Sequence, residues 1–473
     1  MKRFISRFSL EYDRSLLYML QASEYNLRDY FAWYRRVQDF RAVQKRKKLV
    51  WTIKVKALLA MEWACIAAVI IVGIYAVNDY PLLLGLAVVL VFVGCLTFAL
   101  PYLLALFVFV GQLVQEPVEM TLINRAKATL AKHKGFKIAI AGSYGKTSMR
   151  EILRTVLSEG KKVAAPGGSE NTPIGIARFI AQLKGDEDVL IFELGEYYPG
   201  DVRKLARMVQ PDLGVITGVN EAHLSKFKTI EAAASTVFEL ADVLGNAPLY
   251  VNGENECAKK EQRGGMLFSR EGLDGWKVVA PQTSLDGTSF TLERGNVRIN
   301  ARSKLLGLHQ IGPLTAAAHI AMHLGLTVAQ TEAGIANTKP FEHRLEPKEE
   351  GGVVTLDDSY NGNPDGVKAV IEFLASLKDR RRWYVTPGLV EMGNRSEEVH
   401  RDIGKQLAEA GIEKVVLIKN SVTPCIETGL KEANYKGEIT WFDDALKCYE
   451  SLPHMTAAGD VVLLQNDWPD QYA

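Results

Sequence analysis

The sequence predicts an α/β protein in two domains, a phosphate-binding one and a smaller doubly wound one, preceded by a two-helix membrane hairpin. Three observations lead there. The stretch "KIAIAGSYGKTSMREIL" (Lys137–Leu153) reads as apolar strand, glycine turn and helix start. Apolar strands then alternate with helical stretches, the pattern of a parallel sheet covered by helices. Upstream lie two runs too apolar for a soluble domain. A chain of 473 residues suggests two to four domains.

The first 56 residues carry 14 Lys/Arg against 5 Asp/Glu, a net +9, while the remainder nets −8. A basic arm on a mildly acidic body points to an anionic surface, membrane or nucleic acid. With an apolar hairpin next to it, the membrane is the expected partner and no nucleic acid is expected. Residues 10–44 are rich in Tyr, Phe, Trp and Arg at roughly helical spacing. Such a helix either lies on the membrane surface or packs on the body. The five cysteines (Cys65, Cys95, Cys257, Cys425 and Cys448) form no CxxC and no even set. They indicate neither a disulfide framework nor a zinc site.

Ala57–Val77 holds a single charge, Glu62, and Leu82–Val110 holds none. About 20 apolar residues cross a bilayer, so 57–111 reads as a hairpin turning at "NDYP" (Asn78–Pro81). Pro101 is expected to kink the second helix or to mark a bend along the interface. Lys45–Lys48, Lys54 and Lys56 precede the first span, and Arg125, Lys127, Lys132 and Lys134 follow the second. The turn has no Lys or Arg, so the positive-inside rule puts both termini in the cytoplasm. A linker is expected over 112–134, then a central domain over 135–338. Its strands are "KIAIAG", "DVLIFELG", "DLGVITGV" and "PLYVNG", with β-rich 276–307 and a helix near Gly312–Leu324 after them. The last domain, 339–473, reads from "VVTLDD", "RWYVTPG", "KVVLIK", "ITWF" and "DVVLLQ".

The glycine turn Gly142-Ser143-Tyr144-Gly145-Lys146-Thr147-Ser148 has the context of a phosphate-binding loop. Backbone N–H groups at the helix start hold phosphate oxygens, Lys146 reaches the terminal phosphates, and Thr147 ligates Mg²⁺. It is the short form GxxGK[ST], since Ile140 stands where the eight-residue form has glycine. Glu193 ends one strand and His223 follows the next, where ligands bind in open α/β sheets. Both are candidate metal-site residues.

Several ordered motifs then resemble one family, the Mur ligases, ATP-dependent amide-bond-forming enzymes of cell-wall peptide synthesis, and among them the MurF type. The most specific is "TLDDSYNGNPDGVKAVIEFL" (Thr355–Leu374), beside "PGLVEMGNRSEEVH" (Pro387–His400), "SENTPIG" (Ser169–Gly175) and "EHRLE" (Glu342–Glu346). The resemblance spans 135–473. It implies a P-loop central domain and a Rossmann-like C-terminal domain, with ATP and Mg²⁺ as cofactors. It implies catalytic roles for Lys146, Glu193, His223 and Arg344, and metal roles for Thr147, Glu193 and His223. Nucleotide contacts would come from Gly142 to Ser148, His309, Arg344 and Asp358, the last on the ribose. Substrate would meet Asn171, Thr172, Tyr360, Asn361 and Asn363.

Four departures accompany it. Val237 stands where the family carries a carbamylated, Mg²⁺-bound lysine. Pro313 replaces an asparagine in the adenine-contacting pattern, here "HQIGP" (His309–Pro313). The usual ending L-K-G-S reads "LQND" (Leu464–Asp467). The arm and hairpin stand where the family has its uridine-nucleotide domain, which implies a muramyl-peptide-like or lipid-linked acceptor, either a lipid-linked muramyl peptide or a growing polymer at the membrane, joined to an amino acid or dipeptide. A membrane-tethered poly-γ-glutamate-type ligase and a degenerate ATP-binding scaffold subunit are the alternatives.

Overall fold

The computed structural model describes residues 2–43, 48–79, 81–168, 170–220, 227, 229–360, 362–390 and 392–467. Two compact units divide near residue 121.

In the first unit, helices span Tyr12–Ala22 and Leu27–Arg36. Their rings are packed rather than spread: Tyr12, Tyr30, Trp33, Tyr34 and Phe40 are buried with Leu16, Leu17, Val55, Leu58, Leu100 and Leu104. These aromatic faces pack on the two apolar helices themselves, neither spread as a separate surface helix nor set on the body, the two arrangements the sequence offers. Arg3 donates to the Tyr34 and Arg35 carbonyls at 2.9 and 3.0 Å. Tyr30 donates to the Pro101 carbonyl at 3.3 Å.

Two helices, Ile53–Asp79 and Leu82–Lys132, are long and apolar enough to cross a membrane. Only 17% and 11% of their most apolar windows are buried, unlike the core helices of a soluble protein. The second helix runs on through Pro101 and Pro117 for 51 residues, about 76 Å at 1.5 Å per residue. The stretch expected as a linker is therefore helical up to Lys132. Hydropathy marks where the apolar run stops, not where the backbone stops being helical.

The second unit contains three sheets. The first has strands β1 (Phe136–Ala141), β2 (Val163–Ala164), β3 (Val189–Glu193), β4 (Leu213–Ile216), β5 (Leu249–Asn252) and β6 (Met266–Phe268). Their order is β2-β3-β1-β4-β5-β6, all parallel. β1 shows why the sheet is buried on both faces. Ala139 and Ala141 join one core with Phe192 and Leu205, whereas Ile138 and Ile140 join the other with Leu153 and Leu314. Ala126 and Leu130, on the last turns of the long helix, belong to the first of these cores.

Strands β7 (Gly272–Leu273), β8 (Trp276–Ser284), β9 (Gly287–Arg294) and β10 (Val297–Ser303) form an antiparallel sheet over the β-rich segment. The third sheet has β11 (Glu346–Glu350), β12 (Val353–Asp358), β13 (Arg381–Thr386), β14 (Lys414–Ile418), β15 (Glu438–Phe442) and β16 (Asp460–Gln465). The order is β11-β12-β16-β13-β14-β15, parallel except for edge strand β11.

Candidate active site

β1 ends in the glycine turn, and the helix Lys146–Leu157 begins immediately after it. Two glycines there are forced. Gly142 has φ +146°, and a Cβ on it would sit 2.2 Å from Thr217 Oγ1. Gly145, the helix N-cap, has φ +74°. The turn is tied to the neighbouring strand by Ser143 N–H donating to the Gly218 carbonyl at 2.8 Å. The Ser143 hydroxyl is buried with no hydrogen-bond partner among the described residues. A cradle that excludes side chains and carries an unused buried hydroxyl at a helix N-terminus fits a phosphate.

Lys146 Nζ donates to the Gly142 carbonyl and, at 2.8 Å, to Glu196 Oε1. Thr147 donates to Glu193 Oε2 at 3.1 Å, and Arg150 NH1 lies 2.8 Å from Glu193 Oε1. Glu193, at the end of β3, is 1% exposed. Burial pushes its carboxyl up; Arg150, Lys146, Thr147 and Arg344 pull the other way. Thr147 and Glu193 suit Mg²⁺, which is held by one or two carboxylates plus substrate phosphates. His223 and Asn361 lie outside the described residues. Among the described residues no group of three His, Cys, Asp or Glu side chains forms a metal cage.

The third sheet supplies the other wall. Arg344 stacks on the Tyr360 ring at 4.2 Å. It sits between His343 and Leu345, both at positive φ (60° and 50°), a conformation that costs about 1–2 kcal/mol each outside glycine. Asp358, at the end of β12, accepts from Leu345 N–H at 3.1 Å and Gln465 Nε2 at 2.9 Å. Burial pushes its carboxyl up, against Gln465 and Arg344. Asn363 caps the helix Pro364–Ser376 and accepts from Asn220 Nδ2 at 2.8 Å. The Tyr144 hydroxyl bonds with Asp365 and Asn255, and burial, with Asp365, holds it protonated. Arg270 reaches Glu372 at 2.8 Å. These contacts close the last domain onto the glycine turn.

Two connected cavities result. One of about 150 Å³ brings Ser143 to Ser148, Asn171 and Glu193 together with Arg344, Tyr360 and Asn363. A second, about 300 Å³, adds His309, Gln310, Asp358 and Gln465. His309 is half-buried near Arg270 and Glu372, and the loss of solvent around its ring lowers it to about 4, so the ring is neutral. Thr172 is spent elsewhere: its hydroxyl accepts from Gly175 N–H as an N-cap. Sequence reasoning missed Glu196, the partner of Lys146, and Arg150, the partner of Glu193. The local signals were there, a second carboxylate three residues after Glu193 and a cation one turn after Lys146.

Val237 is fully buried within an apolar core. Glu239 accepts from Gly200 and Arg203 N–H at 2.9 and 3.0 Å, bonding the N-terminus of the helix Asp201–Val209. His400 accepts from Leu389 N–H at 2.8 Å and bonds the Ser396 carbonyl through Nδ1. All three serve packing or backbone support.

The comparisons with known proteins agree with this architecture. Residues 140–321 match the Mur ligase middle domain, and 343–465 match the Mur ligase, glutamate ligase domain. The chain belongs to the Mur ligase family and is MurF-like. It is 29% identical over 294 residues to the UDP-N-acetylmuramoyl-tripeptide–D-alanyl-D-alanine ligase of Mycobacterium tuberculosis, covering 59% of this chain and 58% of that one. The Bacillus subtilis enzyme of the same name is 24% identical, over 72% and 75%. The chain thus spans less than two thirds of the first of these relatives. The crystal structure of MurF ligase from Thermotoga maritima in complex with ADP superposes with a TM-score of 0.65 at 26% identity, over 75% of this chain and 81% of that one. MurF from Acinetobacter baumannii gives 0.67 at 21% identity, over 75% and 78%, a likeness of fold.

Proposed function

We propose that the chain is an ATP-dependent ligase that joins an amino acid or dipeptide to a muramyl-peptide-like acid at the cytoplasmic face of a membrane. One observation carries the reading. Lys146, Thr147 and Glu193 from the first sheet share a cleft with Arg344 and Tyr360 from the last domain, and Asp358 lines its continuation. The relatives' printed names supply the substrate class, a muramoyl tripeptide and D-alanyl-D-alanine.

A carboxylate acylates poorly at neutral pH. Moving the γ-phosphoryl of ATP onto a carboxylate oxygen breaks its bond to the β-phosphate oxygen and gives an acyl phosphate and ADP. An amine nitrogen then attacks its carbonyl carbon, and phosphate leaves. The first step brings anion onto anion, so Lys146 and Arg344 lower its barrier by neutralising the developing charge. Thr147 and Glu193 would hold Mg²⁺, which would supply further neutralisation of phosphate charge. Asp358 accepts a ribose hydroxyl, and His309, neutral, lines the base pocket. The closed last domain keeps water from the acyl phosphate. A neighbouring cavity beside Thr147, walled by Arg344 and by Arg154 with its partner Glu151, is the place left for the acceptor.

The apolar helices support attachment to the membrane, and the Lys/Arg flanks support cytoplasmic termini. After Cys65 and Cys95 are replaced, a cysteine at Asp79 is expected to react with an impermeant thiol reagent outside intact cells; silence there with labelling of the catalytic unit reverses the topology.

The deciding assay is phosphate release by detergent-purified protein with ATP and Mg²⁺. The acceptors are soluble and lipid-linked muramyl peptides, with D-Ala-D-Ala or glutamate as the amine. Release that needs a muramyl peptide and D-Ala-D-Ala is expected. Release with glutamate alone favours a poly-γ-glutamate-type ligase. Nucleotide binding without turnover on any pair favours a scaffold, a reading that the buried Val237 keeps in view.

A further inference from the structure

Resting on the reading of the cleft as a nucleotide–Mg²⁺ site, we propose that Arg150 is a positioning residue. Its guanidinium is a built-in cation that takes one oxygen of Glu193 and leaves the other for a single divalent ion. Arg150 lies one turn after Lys146 on the same helix and is 3% exposed. Its fork is occupied on every side. NH1 lies 2.8 Å from Glu193 Oε1 and also donates to the Gly168 carbonyl. Nε and NH2 donate to Glu151 Oε1 at 3.1 and 2.8 Å. Glu151 is itself held by Arg154 at 2.7 Å, so the pair does not swing away. The second oxygen of Glu193 accepts from the Thr147 hydroxyl, its one hydrogen bond among the described residues, and a hydroxyl ligates a metal as readily as it donates to a carboxylate.

The charge count agrees. Val237 offers no anion, Glu239 is used on backbone N–H groups, and Glu196 is matched by Lys146. A buried carboxylate facing a fixed guanidinium has one unit of negative charge already matched, and a second divalent ion would meet that same fixed positive charge. A guanidinium keeps its proton at any working pH and cannot diffuse away with product. It therefore holds the Glu193 carboxylate aligned between turnovers, which an exchangeable second metal does not do.

The test counts Mn²⁺, by the electron paramagnetic resonance of the free ion, on the full chain in detergent with a non-hydrolysable ATP analogue. Wild type is expected to bind one Mn²⁺ per nucleotide. Arg150→Met is expected to weaken Mn²⁺ by about 10–100-fold, the usual effect of removing an outer-shell partner. Its affinity for nucleotide in metal-free buffer should stay unchanged. Arg150→Lys, with charge but no fork, should recover part of the loss. Two tightly held Mn²⁺ per nucleotide in wild type, or wild-type Mn²⁺ affinity in Arg150→Met, overturns the assignment. If Arg150→Met does not fold, the wild-type count and Arg150→Lys decide. Absence of nucleotide binding in wild type overturns the reading of the cleft itself and this inference with it; nucleotide bound with two ions overturns only the inference.

Discussion

The first and third sheets reach the cleft with opposite electrostatic habits. At the first, charges are already paired: Lys146 with Glu196 at 2.8 Å, and Arg150 with Glu193 at 2.8 Å. At the third, Asp358 is held by neutral donors, the Leu345 N–H and the Gln465 amide. A polyanion entering the cleft must take Lys146 from Glu196, an exchange of one anion for another. It takes nothing from Asp358, whose bonds stay in place. The first sheet is thus arranged to respond to phosphate and the third to hold still. A change at Lys146 should fall on rate, and a change at Asp358 on affinity.

The largest expected effect tests whether the charges of the first sheet stay at its edge. Val237→Lys places an ammonium in a fully buried apolar core and should cost more than about 4 kcal/mol, read from urea denaturation. A variant as stable as wild type, with Mg²⁺ bound more tightly, would mean that this position faces the cleft. Next comes Lys146→Ala, which should lower kcat by about 10²–10³-fold, or 3–4 kcal/mol, with the fold intact. Phosphate release above half of the wild-type rate would break the assignment of rate to the first sheet. Asp358→Ala should cost about 1–3 kcal/mol in nucleotide affinity. The signature is a raised KM for ATP with kcat less affected; a pure kcat effect would erase the contrast between the sheets.

The smallest effect at neutral pH concerns two histidines, His309, half-buried, and His400, buried. Loss of solvent holds His309 at about 4 and lowers His400 as well. The unfolded chain takes up these protons first as pH falls. Stability from the neutral rings is therefore complete above about 6.5 and is lost progressively between there and about 4. His309→Gln should flatten that slope in melting curves collected across the window; an unchanged slope removes His309 as its source.

What could be read from the sequence follows range of interaction. The strand–turn–helix around Lys146 is local, and its geometry is set by Gly142 and Gly145, so it was legible. The strands ending in Glu193 and Asp358 were legible because a parallel sheet buried on both faces writes itself as short apolar runs. The edge strands β2, β6 and β11 were not. β2 has two residues and β6 three, while β11, Glu346–Glu350, is mostly charged. Pairings between distant residues were not legible either: Lys146 finds Glu196 fifty positions on, and Tyr144 finds Asp365 across a domain boundary. The polar continuation of the second long helix was missed because the composition changes at Gly111 while the backbone does not.

The glycine turn has a consequence for inhibitor resistance. A compound that binds the cleft through side chains can be escaped by replacing them. One that reads the backbone at Gly142 and Gly218 cannot. Any side chain at Gly142 meets Thr217 at 2.2 Å, and any at Gly218 meets the Tyr144 ring at 2.5 Å. Both positions also hold φ near +150°, where only glycine rests without strain. The surface of the cradle is thus a fixed target: the chain has no genetic route to reshape it while keeping the turn.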